Sequence, residues 1–261
     1  MNPTHCPRLI MTPTSYAKLR TAVMLGAGVL IAVNATPATA QNSNNELGSN
    51  DSPVVDRESL DGQSLLPLEA SSRPMAVTDG DGEGRALELE ITQAPDDGAS
   101  AARWEIRMGD LNTVAVHRND AGDVMIDSLE IVDKGMRVMY DPPVPLLRAD
   151  LRPERENVVE SHARILDAAS GELKYEGPVR HAINLVTSAT LQLPAGRTDV
   201  TYVGIHHIID LDNAKIDIAL EQGYKAGVGI VYRRLRTTIE KPMWMGSTVV
   251  RAIEATELPE N

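Results

Sequence analysis

Lys215-Ile216-Asp217-Ile218-Ala219-Leu220-Glu221 alternates apolar with charged side chains. On a pleated strand successive side chains point to opposite faces, so Ile216, Ile218 and Leu220 face one way and Lys215, Asp217 and Glu221 the other. That is the pattern of an antiparallel strand with one dry face and one wet face. Working outward, Asp212-Asn213 turns the chain into this strand from residues 198–211. That segment pairs with residues 183–193 across Pro194-Ala195-Gly196, where an early proline and a late glycine suit a type I turn closed by a glycine bulge. Residues 158–166 and 172–179 flank the hairpin signal Ala169-Ser170-Gly171, and residues 228–239 and 248–257 finish the sheet.

Towards the N-terminus, Leu87, Leu89 and Ile91 alternate with Glu88 and Glu90. Residues 102–108 and 111–118 pair across Gly109-Asp110, and 123–133 and 136–140 are split at Lys134-Gly135. Asp141-Pro142-Pro143-Val144-Pro145 is expected to lie outside any central strand, because proline has no N–H to donate. No stretch carries a capped helical stripe. The expected fold is all-β, mainly antiparallel, as a curved sheet, sandwich or open barrel.

The chain has 261 residues, 25 Lys and Arg against 37 Asp and Glu, and a formal net charge of −12. This balance argues against nucleic acid, whose phosphates reward clustered cations, and against adhesion to an anionic membrane surface. There is no Phe, so the core is built from Val, Ile, Leu and Met. Residues 21–33 carry no charge, follow Lys18 and Arg20, and precede the small-x-small site Ala38-Thr39-Ala40. Residues 1–40 therefore read as a cleaved signal peptide, with Met11 as an alternative start and an apolar run too short to span a bilayer. Cys6, the single cysteine, falls in the part removed, which excludes disulfides, cysteine catalysis and cysteine-held zinc from the remainder. Residues 41–84 read as a disordered acidic linker, and 85–261 as a single β domain in the periplasm or outside the cell.

Two segments carry a family likeness. Leu193-Pro194-Ala195-Gly196 opens a hairpin arm, and about thirty residues later comes Tyr224-Lys225-Ala226-Gly227-Val228-Gly229-Ile230-Val231. With Tyr140-Asp141-Pro142-Pro143-Val144-Pro145-Leu146, this resembles the TapB-like group of exported bacterial proteins, which share a domain of unknown function. The likeness covers roughly residues 135–257. It implies an extracytoplasmic antiparallel β fold and no catalytic residues.

Candidate sites follow from strand parity. His206, Asp210 and Asp212 share a face and form a candidate metal set, completed by His162 or His181. The same residues also suit a solvated face entering an Asp-Asn turn. His207 falls on the opposite face with Val203, Ile205, Ile209 and Leu211. Asp79, Asp81, Glu83, Gly84 and Glu90 match part of a calcium-loop template, but run into a strand where that template expects a helix. No GxSxG, HExxH, phosphate loop or dinucleotide fingerprint occurs. Arg233, Arg234 and Arg236 read as a solvated basic cluster. Gly227 and Gly229 suit a bulged strand start, beside which Tyr224 covers a sheet edge with its hydroxyl wet.

Two apolar segments, 144–147 and 242–245, stand where loops are expected, closing the core or meeting a ligand. Trp244, Met243 and Met245, with Tyr224 and Tyr232, form the candidate ligand-binding set. The lining expected behind them is Val203, Ile205, Ile209, Ile216, Ile218, Leu220, Ile230 and Tyr232. The leading expectation is a non-enzymatic envelope protein that binds another protein or acts as a scaffold, without a cofactor. Its alternatives are a carrier for a lipid or other apolar ligand, and a hydrolase using a metal at His206, Asp210 and Asp212.

Overall fold

The computed structural model describes residues 60–95, 102–151, 157–241 and 246–259. A short strand β1 (Leu60–Asp61) leads into a one-turn helix (Gly62–Leu65). The strands that follow are β2 (Ser71–Gly80), β3 (Ala86–Gln93), β4 (Arg103–Met108), β5 (Asn112–Arg118), β6 (Val124–Ile131), β7 (Met136–Leu147), β8 (Asp150–Leu151), β9 (Asn157–Asp167) and β10 (Leu173–Leu193). The last four are β11 (Gly196–Leu211), β12 (Ala214–Lys225), β13 (Gly229–Glu240) and β14 (Ser247–Ala255). β1 pairs with β8 alone. The other twelve close into an antiparallel barrel in which each strand lies beside its neighbours in the chain, and β14 returns to pair with β2. The expected all-β antiparallel fold is what forms, with the barrel closed.

Alternation explains the closure. On β3, Leu87, Leu89 and Ile91 are buried while Glu88 faces out. On β4, Ile106 and Met108 are buried while Glu105 and Arg107 are exposed. A charged exterior around an aliphatic interior is the reverse of a lipid-facing barrel. At the β2–β3 turn Gly80 has φ +86°, and a Cβ there would lie 2.0 Å from the Val250 carbonyl oxygen of β14. Only glycine fits that approach.

Three expectations need correction. Residues 60–84, assigned to the linker, contain β1, the helix and β2. Met75 and Val77 point into the barrel at 1% and 2% exposure, and Leu65 and Leu66 are buried with them. Their apolar residues come in short bursts because neighbouring strands supply the rest of the core. The proline stretch belongs to β7, a paired strand. It is tolerated because β7 pairs with β9 only as far as Asp141, and at Val144 and Pro145 only with β6, beside register shifts. Residues 172–179 and 183–193 are one strand, β10, bent by an irregularity between Ile183 and Leu185.

The 60–67 segment is fastened by polar contacts. The Gly62 N–H donates to the Ala149 carbonyl at 3.0 Å, and Arg118 Nη2 to the Leu66 carbonyl at 3.0 Å. Beneath them Asp123 accepts from Arg148 Nη1 at 2.7 Å and from the Ala149 N–H at 2.9 Å. Burial pushes the Asp123 carboxyl up, but the Ala149 N–H and the Arg148 guanidinium outweigh it and hold the group below its ordinary value. Removing one member of a buried pair leaves the other uncompensated. Asp123→Ala is therefore expected to cost about 3 kcal/mol in urea unfolding. A loss below about 1 kcal/mol, the level of a surface pair, would refute this.

Candidate functional site

One row of side chains crosses the inside of the barrel: Val203 on β11, Gln222 on β12, Arg233 on β13, Ile253 on β14 and Val77 on β2, each opposite the next. All five are buried. Arg233 is 8% exposed, and its Nη1 donates across the interior to Asn112 Oδ1 of β5 at 3.3 Å. Gln222 accepts from the Tyr224 hydroxyl at 2.7 Å, and Thr201, paired with Tyr224, is buried beside them. A polar level thus interrupts an otherwise aliphatic interior. Burial draws the Arg233 guanidinium down to about 10, with the Tyr224 phenol opposing and Arg251 adding to the effect. Burial likewise pushes the Tyr224 phenol well above its ordinary value.

A second polar pair lies further along β10 and β11. His181 and His207 are opposite each other, with Nδ1 atoms 3.1 Å apart. That distance needs one ring to donate and the other to accept. Among the described residues neither Nε2 has a hydrogen-bond partner. Tyr140 of β7 packs edge-on against His207, with centroids 5.2 Å apart.

At one end of the barrel a pocket of about 410 Å³ is lined by residues including Pro67, Ser72, Arg73, Gly227, Val228 and Leu258. Arg73 donates to the carbonyls of Ile230 at 2.7 Å and Val228 at 2.6 Å. β2 pairs with β3 from Ser71 onward, but with β14 only from Met75 onward, so among the described residues Ser71–Arg73 has a strand neighbour on one side only.

The residues singled out from sequence scatter among these features. Trp244, Met243 and Met245 lie outside the described residues. Tyr224 points inward, fully buried, with its hydroxyl bonded to Gln222; the wet hydroxyl expected of it is corrected, because 220, 222 and 224 share the inner face. Tyr232 is half-buried and stacks on Tyr202 at 6.1 Å, the two flanking Gly223 across three strands. Of the expected lining, Val203, Ile205, Ile209, Leu220 and Ile230 are buried in the core, while Ile216 and Ile218 are half-buried. Residues 144–147 are buried and close the core.

His206 faces outward and meets Asp217 of β12 at 3.0 Å, whereas Asp210 pairs with Lys215 and Asp212 sits in the turn beyond. Among the described residues no group of three or more His, Cys, Asp or Glu is placed to hold a metal ion. In the calcium-template stretch Asp81 pairs with Arg251 at 2.8 Å, and Glu90 lies on β3. Gly227, in the resemblance motif, donates its N–H to the Ser64 carbonyl at 2.9 Å, so this turn seats the 60–67 segment. Arg233 is what the sequence reading missed. It stands beside Arg234 and Arg236 in the chain, yet Val231, Arg233 and Leu235 share one parity.

No family model matches the chain, and no curated protein does. The TapB-like resemblance is therefore unconfirmed. Two solved structures are similar. One is a "putative exported protein with YmcC-like fold" from Bacteroides fragilis, 13% identical with a TM-score of 0.38, covering 75% of this chain and 99% of its own. The other is a "putative lipoprotein" from Parabacteroides distasonis, 12% identical with a TM-score of 0.33, covering 75% and 98%. At such values neither carries an inference about activity or ligand. Among the described residues no helix is long and apolar enough to cross a membrane.

Proposed function

We propose that the chain is an exported, non-enzymatic envelope protein that binds a partner protein at the end pocket. The observation that carries this is the coincidence of that pocket with the stretch of β2 lacking a second neighbour. An unpaired strand edge offers N–H and C=O groups to an extended segment, and side-chain pockets beside it supply selectivity. Pro67, Pro74 and Pro259 line the same pocket. Proline offers no N–H, so an added strand is limited to a few residues. Export is supported by the leader pattern of residues 1–40. The non-enzymatic reading is supported by the lack of any nucleophile or phosphate motif in the sequence.

A photo-crosslinking side chain at Ser72, in the full chain in its own envelope, tests this. One discrete adduct is expected from Ser72, absent from the same probe at Ser170 in the β9–β10 turn, and lost when Val228→Arg charges the pocket. No adduct at Ser72, or the same products from both positions, would overturn the reading.

A further inference from the structure

Independently of that surface, Arg233 calls for an explanation. Its side chain is more than nine-tenths buried, and its single hydrogen bond among the described residues is the 3.3 Å contact to the neutral Asn112. Among the described residues no carboxylate is paired with it. The ionisable groups around it are the Tyr224 phenol and a second cation, Arg251. Arg251 is already held by Asp81, through its carboxylate at 2.8 Å and its carbonyl at 2.9 Å. A cation taken out of water without a counter-charge is among the costliest arrangements a fold can keep.

Around it the barrel gathers donors instead of acids. Gln222 gives its oxygen to the Tyr224 hydroxyl, which leaves its amide nitrogen to donate. Guanidinium, amide N–H and hydroxyl are the groups that hold carboxylates and phosphates. Twelve strands enclose this polar level. We infer that the barrel interior at Arg233 binds the anionic group of a ligand, a carboxylate or a phosphate, with the amide N–H groups of Gln222 and Asn112 completing the seat. The aliphatic side chains on either side of this level along the strands, such as Leu220, Val231 and Leu235, suit an alkyl chain behind a carboxylate; a free phosphate would use the polar level alone.

Calorimetric titration of the full chain with dodecanoate, dodecanol and inorganic phosphate separates these sources. Dodecanoate binding at least about 30-fold tighter than dodecanol, the scale of a charge-assisted contact, assigns an alkyl carboxylate. Phosphate binding without dodecanoate binding assigns a free anion. In either case Arg233→Met is expected to abolish the anion's advantage while unfolding at no lower denaturant concentration than the parent, since an apolar side chain of similar length replaces an unpaired charge. Should Arg233→Met not fold, Arg233→Lys keeps the charge without the planar fork and is expected to bind roughly tenfold more weakly. Binding of neither anion at millimolar concentration, or equal binding by the variants, would overturn the inference.

Discussion

Acidification from pH 6.5 to pH 4.5 is expected to remove roughly 5 kcal/mol of stability through two histidines alone. His181 and His207 are 1% and 6% exposed, and among the described residues neither Nε2 makes a well-formed hydrogen bond. Burial draws His181 down to about 4, with the Pro145 carbonyl opposing and Arg148 adding; burial draws His207 to about 3, with His181 and His206 adding. Tyr140, packed against His207, is itself pushed above its ordinary value by burial and stays neutral throughout.

Unfolded histidine titrates near pH 6.5. Between there and pH 4.5 the unfolded chain gains protons that the folded pair refuses. Their contribution is therefore present above pH 6.5 and lost as the pH falls through about 4 for His181 and about 3 for His207. Each group costs about 1.4 kcal/mol per pH unit, and whole domains are stable by only about 5–15 kcal/mol. Urea unfolding across this range should show the slope, and a His181→Leu, His207→Leu double variant should flatten it. An unchanged slope in the double variant would assign the acid sensitivity to carboxylates instead.

A chain shortened to begin at Arg85 should fail to fold. It lacks β2, so β14 and β3 are left as facing open edges, and it lacks Leu65, Leu66, Met75 and Val77 from the core. Open apolar edges pair between molecules. The expected product is aggregate or a species without a cooperative transition, by light scattering and thermal melting. Leu66→Ala, which empties one buried side chain at 0% exposure, should cost about 2–5 kcal/mol in the full chain. Cooperative folding of the shortened chain would return residues 60–84 to the role of a tether.

Alternation carried most of the fold. Parity alone puts Ile216, Ile218 and Leu220 on one face of their strand, of which Leu220 is buried and the two isoleucines half-buried, and groups His207 with Val203, Ile205 and Ile209, all buried. What parity does not show is the neighbour a strand will have. Met75 and Val77 lie in polar text, and only β14 and β3 make that segment a strand. Val144 and Pro145 were judged by proline's missing N–H, and pairing on one side only removes the objection. The polar interior was less legible. Arg233 keeps the alternation with Val231 and Leu235, but a charge beside two exposed arginines reads as surface until the barrel closes over it. The partner-free edge at Ser71–Arg73 depends on where β14 stops, which no local pattern records.

The order of strands around the barrel has a kinetic consequence. From β2 to β14 each new pairing joins segments adjacent in the chain, so those contacts form with little loop entropy. The last pairing joins the first barrel strand to the last. A chain that emerges N-terminus first must therefore hold the outer edge of β2 open until β14 has appeared. During that interval the edge is bare to any extended segment nearby, and closure pays the chain's longest loop in a single step. Slow folding set by final seam closure, with the open-seam form as the species most prone to self-association, follows from a barrel whose strand order is local everywhere except at one join.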